Sequence, residues 1–158
     1  MADREPTAAV SPAEAGDAVL EEVQVPAYLA AACRARKAER PRPRLDDPYA
    51  AQFAALADRP GLHRLAGSAG EEVVARTVLL DQLLQVALST VEHPLLVNLG
   101  AGFCTRPYRM DLSKVRAVLE VDAAPVLAVK QRVLADEAAS CPVFRTPGDV
   151  TRPEVVAA

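Results

Sequence analysis

The stretch Pro94-Leu95-Leu96-Val97-Asn98-Leu99-Gly100-Ala101-Gly102 constrains the fold of this chain more than any other. It is apolar on successive residues rather than alternate ones, as a parallel strand covered on both faces would be. It closes on two glycines, and a Gly-x-Gly turn after such a strand lets backbone amides approach a ligand that a Cβ would hold off. Two further short β-prone runs follow, at 117–122 and 141–149, and residues 124–138 between them read as an amphipathic helix with Pro125 in its first turn. Strand, helix, strand, helix, strand predicts an α/β fold with a parallel, Rossmann-like sheet.

What precedes this region reads as helical. Residues 1–18 are rich in Ala, Pro, Asp and Glu without periodicity, which predicts a disordered acidic tail. Tyr28, Leu29, Ala32 and Cys33 share helical spacing, with Arg34, Arg36, Lys37 and Arg40 toward the end of that helix, where the dipole favours cations. The prolines at 41–43 stop it, and Asp46-Asp47-Pro48 turns the chain into a second short helix bearing Tyr49, Phe53 and Leu56. The Ser68-x-x-Glu71 pattern predicts a capped third helix with Val73, Thr77, Leu80, Leu84 and Ala87 on one face, ending before His93-Pro94. The expected organisation is a helical region over 19–90 and a partial Rossmann-like region over 91–158.

Charge and cysteine content exclude several classes. A net charge of -3 gives no bulk basic field, so neither nucleic acid nor an anionic membrane is an expected partner, and the apolar runs fall short of the roughly 20 residues of a membrane span. The cations between Arg34 and Arg44 lack interleaved aromatics and read as a solvated helix end plus a ligand contact rather than a nucleic-acid patch. Cys33, Cys104 and Cys141 are widely spaced, form no zinc or redox pattern, and predict reduced thiols in the cytoplasm with no metal. The first residues show no export signal. His63 and His93 have no acid-and-nucleophile pattern around them. Tyr28 and Tyr108 read first as packing residues, with Tyr108 also a candidate for the pocket.

Glu120 and Asp122 stand 20 and 22 residues after Gly100, at the end of the second strand, where a carboxylate can accept from both hydroxyls of a ribose. The glycines alone could merely make a tight turn, with Asp122 capping the next helix; the acids at this distance favour a nucleoside-containing ligand. A dinucleotide fingerprint would place a third glycine where Thr105 stands, and no Gly-Lys-Ser/Thr phosphate loop occurs. S-adenosylmethionine, with a ribose and no pyrophosphate, fits this pattern better.

Four blocks in order, RARKAERPRPRLDDPYA, ARTVLLD, LVNLGAGFCTRPYRMDL and LEVDAAPVLAVKQRVLA, resemble the leucine carboxyl methyltransferase family, including its bacterial polyketide carboxyl O-methyltransferases. The resemblance covers about residues 24–150. It implies a class I methyltransferase sheet preceded by N-terminal helices, and S-adenosyl-L-methionine as cofactor. It further implies a small-molecule carboxylate or hydroxyl as methyl acceptor, in bacterial secondary metabolism. By position, Arg76 would pair with the cofactor's carboxylate, assisted by a first-helix cation at Arg36 or Lys37. Gly100 and Gly102 would wrap its methionine part, Asp122 would hold the ribose, and Asp149 would lie near the adenine amine.

Two departures accompany the resemblance. Cys104 stands where the family usually has an aspartate, and the family's later strands, with an acidic Glu-Gly-x-x-x-Tyr-Leu block and the substrate pocket, have no counterpart here. The sheet is therefore expected to be incomplete, with three strands and an open edge for a second copy or a partner subunit to cover. The alternative function is a truncated, non-catalytic remnant that binds cofactor or a partner. A third, recruitment to another reaction such as a cyclisation, has no positive sign in the residues.

Overall fold

The computed structural model describes residues 24–38, 45–57 and 60–151. The expected acidic tail at 1–18 and the stretch 39–44 of the basic cluster lie outside the described residues. Three helices come first, α1 (Val25–Ala38), α2 (Ala50–Ala55) and α3 (Pro60–Ser89). Strand β1 (Leu95–Leu99), the one-turn helix α4 (Arg106–Arg109), β2 (Ala117–Asp122), α5 (Ala124–Val133) and β3 (Val143–Pro147) follow. The strands form one parallel sheet in the order β1-β2-β3, with Leu95 opposite Ala117 and Val118 opposite Val143. This is the expected α/β architecture.

Helix α3 is longer than its capping pattern suggested. It starts at Pro60, eight residues before Ser68, whose hydroxyl donates to the Leu65 carbonyl inside the helix instead of capping an end. Proline suits a first helical position because its missing N–H would be unpaired there anyway. Leu62 and Ala66 then bury themselves in the main core, so packing extends the helix past the local signal.

That core joins the helices to the glycine loop. Ala31, Ala32 and Cys33 of α1 are buried and small, allowing close approach to its neighbours. Phe103, immediately after Gly102, inserts among them: its ring stacks on Phe53 at 4.5 Å and meets Tyr28 edge-on at 4.8 Å. Such pairs contribute about 1 kcal/mol each beyond their buried area. Val126 and Val129 of α5 close the same cluster.

The β1 run behaves differently from a doubly covered strand. β1 is an edge strand, and Leu95, Val97 and Leu99 are 54%, 49% and 47% exposed. Leu79, Leu80, Leu83 and Val86 on α3 are also exposed, so apolar residues of the helix and the strand edge face solvent.

Candidate functional site

A cavity of about 400 Å³ opens beyond the carboxyl ends of β1 and β2, within the range that accepts small ligands and at the place where open α/β sheets bind them. Its base is the loop from Gly100 to Cys104, and its walls come from α1, α3 and α4. Gly100 and Gly102 have φ of 63° and 48°, a backbone that residues with a Cβ adopt at a cost of about 1 kcal/mol or more. A Cβ at Gly100 would meet nothing within 4 Å, whereas one at Gly102 would contact Ala27 of α1 at 3.7 Å.

Asp122 ties this loop to the sheet. Its Oδ2 accepts from the Gly102 amide and its Oδ1 from the Ala123 amide, both at 2.7 Å. A carboxylate offers about four acceptor sites, so two remain for a ligand. The position that sequence spacing chose for a ribose contact is thus half-buried, lines the cavity and already orders the glycine loop.

The cavity is otherwise cationic, lined by Arg34, Arg76, Arg106 and Arg109. Arg106 and Arg109 share Asp81 of α3, through Nε at 2.6 Å and Nη1 at 2.7 Å. Arg106 also donates to the Cys104 sulfur at 3.3 Å, and Arg109 to the Thr105 hydroxyl at 3.2 Å. Cys104 therefore sits at the lip of the cavity beside a guanidinium that is itself neutralised by Asp81. Arg76 points into the cavity from α3 without a hydrogen bond or ion pair among the described residues.

Arg34 is the first-helix cation that reaches the site, and Arg36 is not. Ala27, Ala30 and Arg34 share one side of α1 and line the cavity, while Arg36, two residues on and about 200° around the helix, is exposed. Lys37 instead pairs with Glu71 of α3. Arg34 is 7% exposed: its Nε donates to Asp47 and its Nη2 to the Phe103 carbonyl, each at 2.7 Å, while Nη1 has no hydrogen bond among the described residues.

Glu120 and Asp149 also lie off the cavity lining. The Glu120 carboxylate is fully buried, holding Lys130 of α5 at 2.5 Å and Arg145 of β3 at 3.0 Å, so its two oxygens are taken up by α5 and β3. Asp149 is exposed in the turn after β3, where its Oδ1 accepts from the amide and hydroxyl of Thr151. Tyr108 lies off the lining too, edge-on to Tyr49 with its hydroxyl bonded to Arg145. Asp47 and Asp81, the anionic partners of the cavity arginines, had no motif to mark them: each meets its arginine through tertiary packing.

A second, mainly apolar cavity of about 340 Å³ lies between α3 and β1, lined by Leu80, Leu83, Leu84 and Ala87 against Leu96 and Val97. The face predicted for the third helix thus supplies the α3 wall of both cavities, with Val73, Thr77 and Leu80 at the first. Among the described residues no cluster of His, Cys, Asp and Glu could hold a metal, and no helix is long and apolar enough to cross a membrane.

Residues 27–157 match the family model described as leucine carboxyl methyltransferase. Over 130 residues the chain is 31% identical to a protein of Mycolicibacterium paratuberculosis named "Putative S-adenosyl-L-methionine-dependent methyltransferase", covering 77% of this chain and 43% of that one. Proteins given the same description in Mycolicibacterium smegmatis and Streptomyces avermitilis are 36% and 34% identical, over 67% of this chain in both cases and 40% and 41% of their own lengths. The chain therefore spans less than half of the curated relatives it matches. The family match extends across both the helical region and the sheet, and on that ground the chain belongs to the leucine carboxyl methyltransferase family.

Proposed function

We propose that the chain binds S-adenosyl-L-methionine in the 400 Å³ cavity and serves an O-methyltransferase reaction on a small-molecule carboxylate or hydroxyl. The observation that carries this reading is the polarity of the site. Asp122 lines it with acceptor sites to spare for ribose hydroxyls, and Arg34 and Arg76 line it as well, the Arg76 guanidinium and Arg34 Nη1 having no hydrogen bond among the described residues and being suited to a carboxylate. The open space at Gly100 leaves room for a chain to pass between them.

When bound, the cofactor supplies an already activated methyl group, so the work left to the protein is placement. Arg34 and Arg76 would fix the carboxylate end, Asp122 the ribose, and the backbone of the 100–104 loop would set the depth of the ligand. The names of the relatives support the cofactor, and the resemblance supports a role in bacterial secondary metabolism. Three free cysteines, two of them buried, are consistent with a cytoplasmic setting. A second reading, a binding subunit whose β1 edge is covered by a second copy or another polypeptide, draws on the exposed Leu95, Val97 and Leu99.

Calorimetric titration with S-adenosylhomocysteine tests the cofactor reading. Micromolar affinity, about -8 kcal/mol, is expected for the native sequence, with a loss of tenfold or more in each of Arg76→Ala and Asp122→Ala. No heat from a chain that circular dichroism shows to be folded would refute it. Release of S-adenosylhomocysteine on addition of an acceptor separates turnover from binding alone.

A further inference from the structure

We infer that Asp47 is a positioning residue of the cavity: it aims the Arg34 guanidinium so that one arm holds the glycine loop and the other meets the carboxylate of the bound ligand. This deepens the cofactor reading above and rests on it.

Four observations carry the inference. First, the Asp47 side chain is fully buried, and among the described residues its ion pair is with Arg34 Nε, through Oδ2 at 2.7 Å. Second, the contact uses one oxygen only, and Oδ1 has no hydrogen-bond partner among the described residues. A pair built purely for stability gains most from two parallel bonds between fork and carboxylate. Here the second arm, Nη2, is turned away from the carboxylate to the Phe103 carbonyl at 2.7 Å. Third, that division leaves Nη1 unpaired among the described residues, on a nearly buried side chain that lines the cavity. A buried cation with an idle donor carries a desolvation cost that an anionic ligand would offset. Fourth, Asp47 is itself anchored. Pro48 biases the residue before it toward extended backbone, and the Asp47 carbonyl accepts from the Ala50 amide at 3.2 Å as the chain enters α2. The anchor for Arg34 is therefore fixed by α2, the arginine by α1, and the loop by the arginine.

The test compares two ligands that differ in the group Arg34 would meet. S-adenosylhomocysteine carries the amino-acid carboxylate; 5′-methylthioadenosine has the same nucleoside and thioether without it. In Asp47→Ala the guanidinium loses its anchor, and S-adenosylhomocysteine is expected to bind at least tenfold more weakly while 5′-methylthioadenosine stays within twofold of the native affinity. Asp47→Asn, which keeps an oxygen for Nε, is expected to recover most of the loss. Asp47→Glu keeps the ion pair but displaces the guanidinium by a methylene, so it gives the same ligand-selective loss and serves where Asp47→Ala does not fold. In an Arg34→Met background the Asp47 variants should have no further effect on either ligand.

Equal losses for both ligands, or unchanged S-adenosylhomocysteine binding in a folded Asp47→Ala or Asp47→Glu, would overturn the inference and leave the cofactor reading standing. Failure of the native chain to bind either ligand would overturn both.

Discussion

Replacing Glu120 by leucine should cost stability and leave ligand binding alone. Glu120 and Lys130 are each fully buried at the side chain, and Glu120 is the carboxylate that holds both Lys130 and Arg145. Glu120→Leu would strand the Lys130 ammonium without a counter-charge, a situation that costs about 3–5 kcal/mol. Each 1.4 kcal/mol is tenfold in an equilibrium constant, so the folded-to-unfolded ratio should fall roughly a thousandfold. Adding Lys130→Met removes the stranded charge at similar volume and should restore most of the loss. Arg145 remains, but it has the Tyr108 hydroxyl, Gln131 and partial exposure to satisfy it. Urea denaturation of the three proteins gives the stabilities, and titration of the folded material gives the affinity for S-adenosylhomocysteine. A loss below about 1 kcal/mol in the single variant, or no recovery in the double one, would refute the buried-pair reasoning. A tenfold weaker ligand affinity in folded protein would return Glu120 to the binding site.

The cysteines give two further predictions. Cys104 lines the cavity beside Arg106, whereas Cys33 and Cys141 are buried. Iodoacetamide followed by peptide mass analysis should label Cys104 first, with S-adenosylhomocysteine slowing that labelling; equal labelling of all three thiols in folded protein would contradict the structure. Burial raises the Cys33 thiol above its ordinary value of 9.0, against the lowering effect of Arg34. The folded state therefore holds that proton more tightly, so the contribution to stability is intact below pH 9.0 and is lost as pH climbs through the folded-state value. Unfolding free energies measured from pH 8 to pH 11 should fall less steeply in Cys33→Ala, and parallel curves would count against the buried thiol.

Local spacing was enough for part of this protein and uninformative for the rest. β1, the glycine turn and Asp122 follow one another within a single strand–turn–helix–strand unit, so a short window contains the whole pattern. Glu120 and Asp122 were indistinguishable by that logic, because both are acids near the end of β2. What separates them is the partner each meets: Lys130 of α5 takes up Glu120, and the Gly102 amide of the glycine loop takes up Asp122 at the strand's end. Arg34 was hidden in a cluster of cations, and its selection depends on which side of α1 is turned to the loop. Asp47 pairs with it across 13 positions, a distance at which no periodicity operates. The α3 start was misplaced because Ser68 and Glu71 mimic a helix start, while the burial of Leu62 and Ala66 was decided by α1.

Phe103 belongs to two structures at once, the turn that lines the cavity and the aromatic cluster with Phe53 and Tyr28. The loop consequently has no private flexibility. Any motion that reshapes the cavity must drag a ring through a close-packed interior, and any loosening of α1 or α2 must be felt at the glycines. Ligand occupancy and the integrity of the first two helices are then one thermodynamic quantity, and amide exchange in α1 and α2 becomes a remote gauge of whether the cavity is filled.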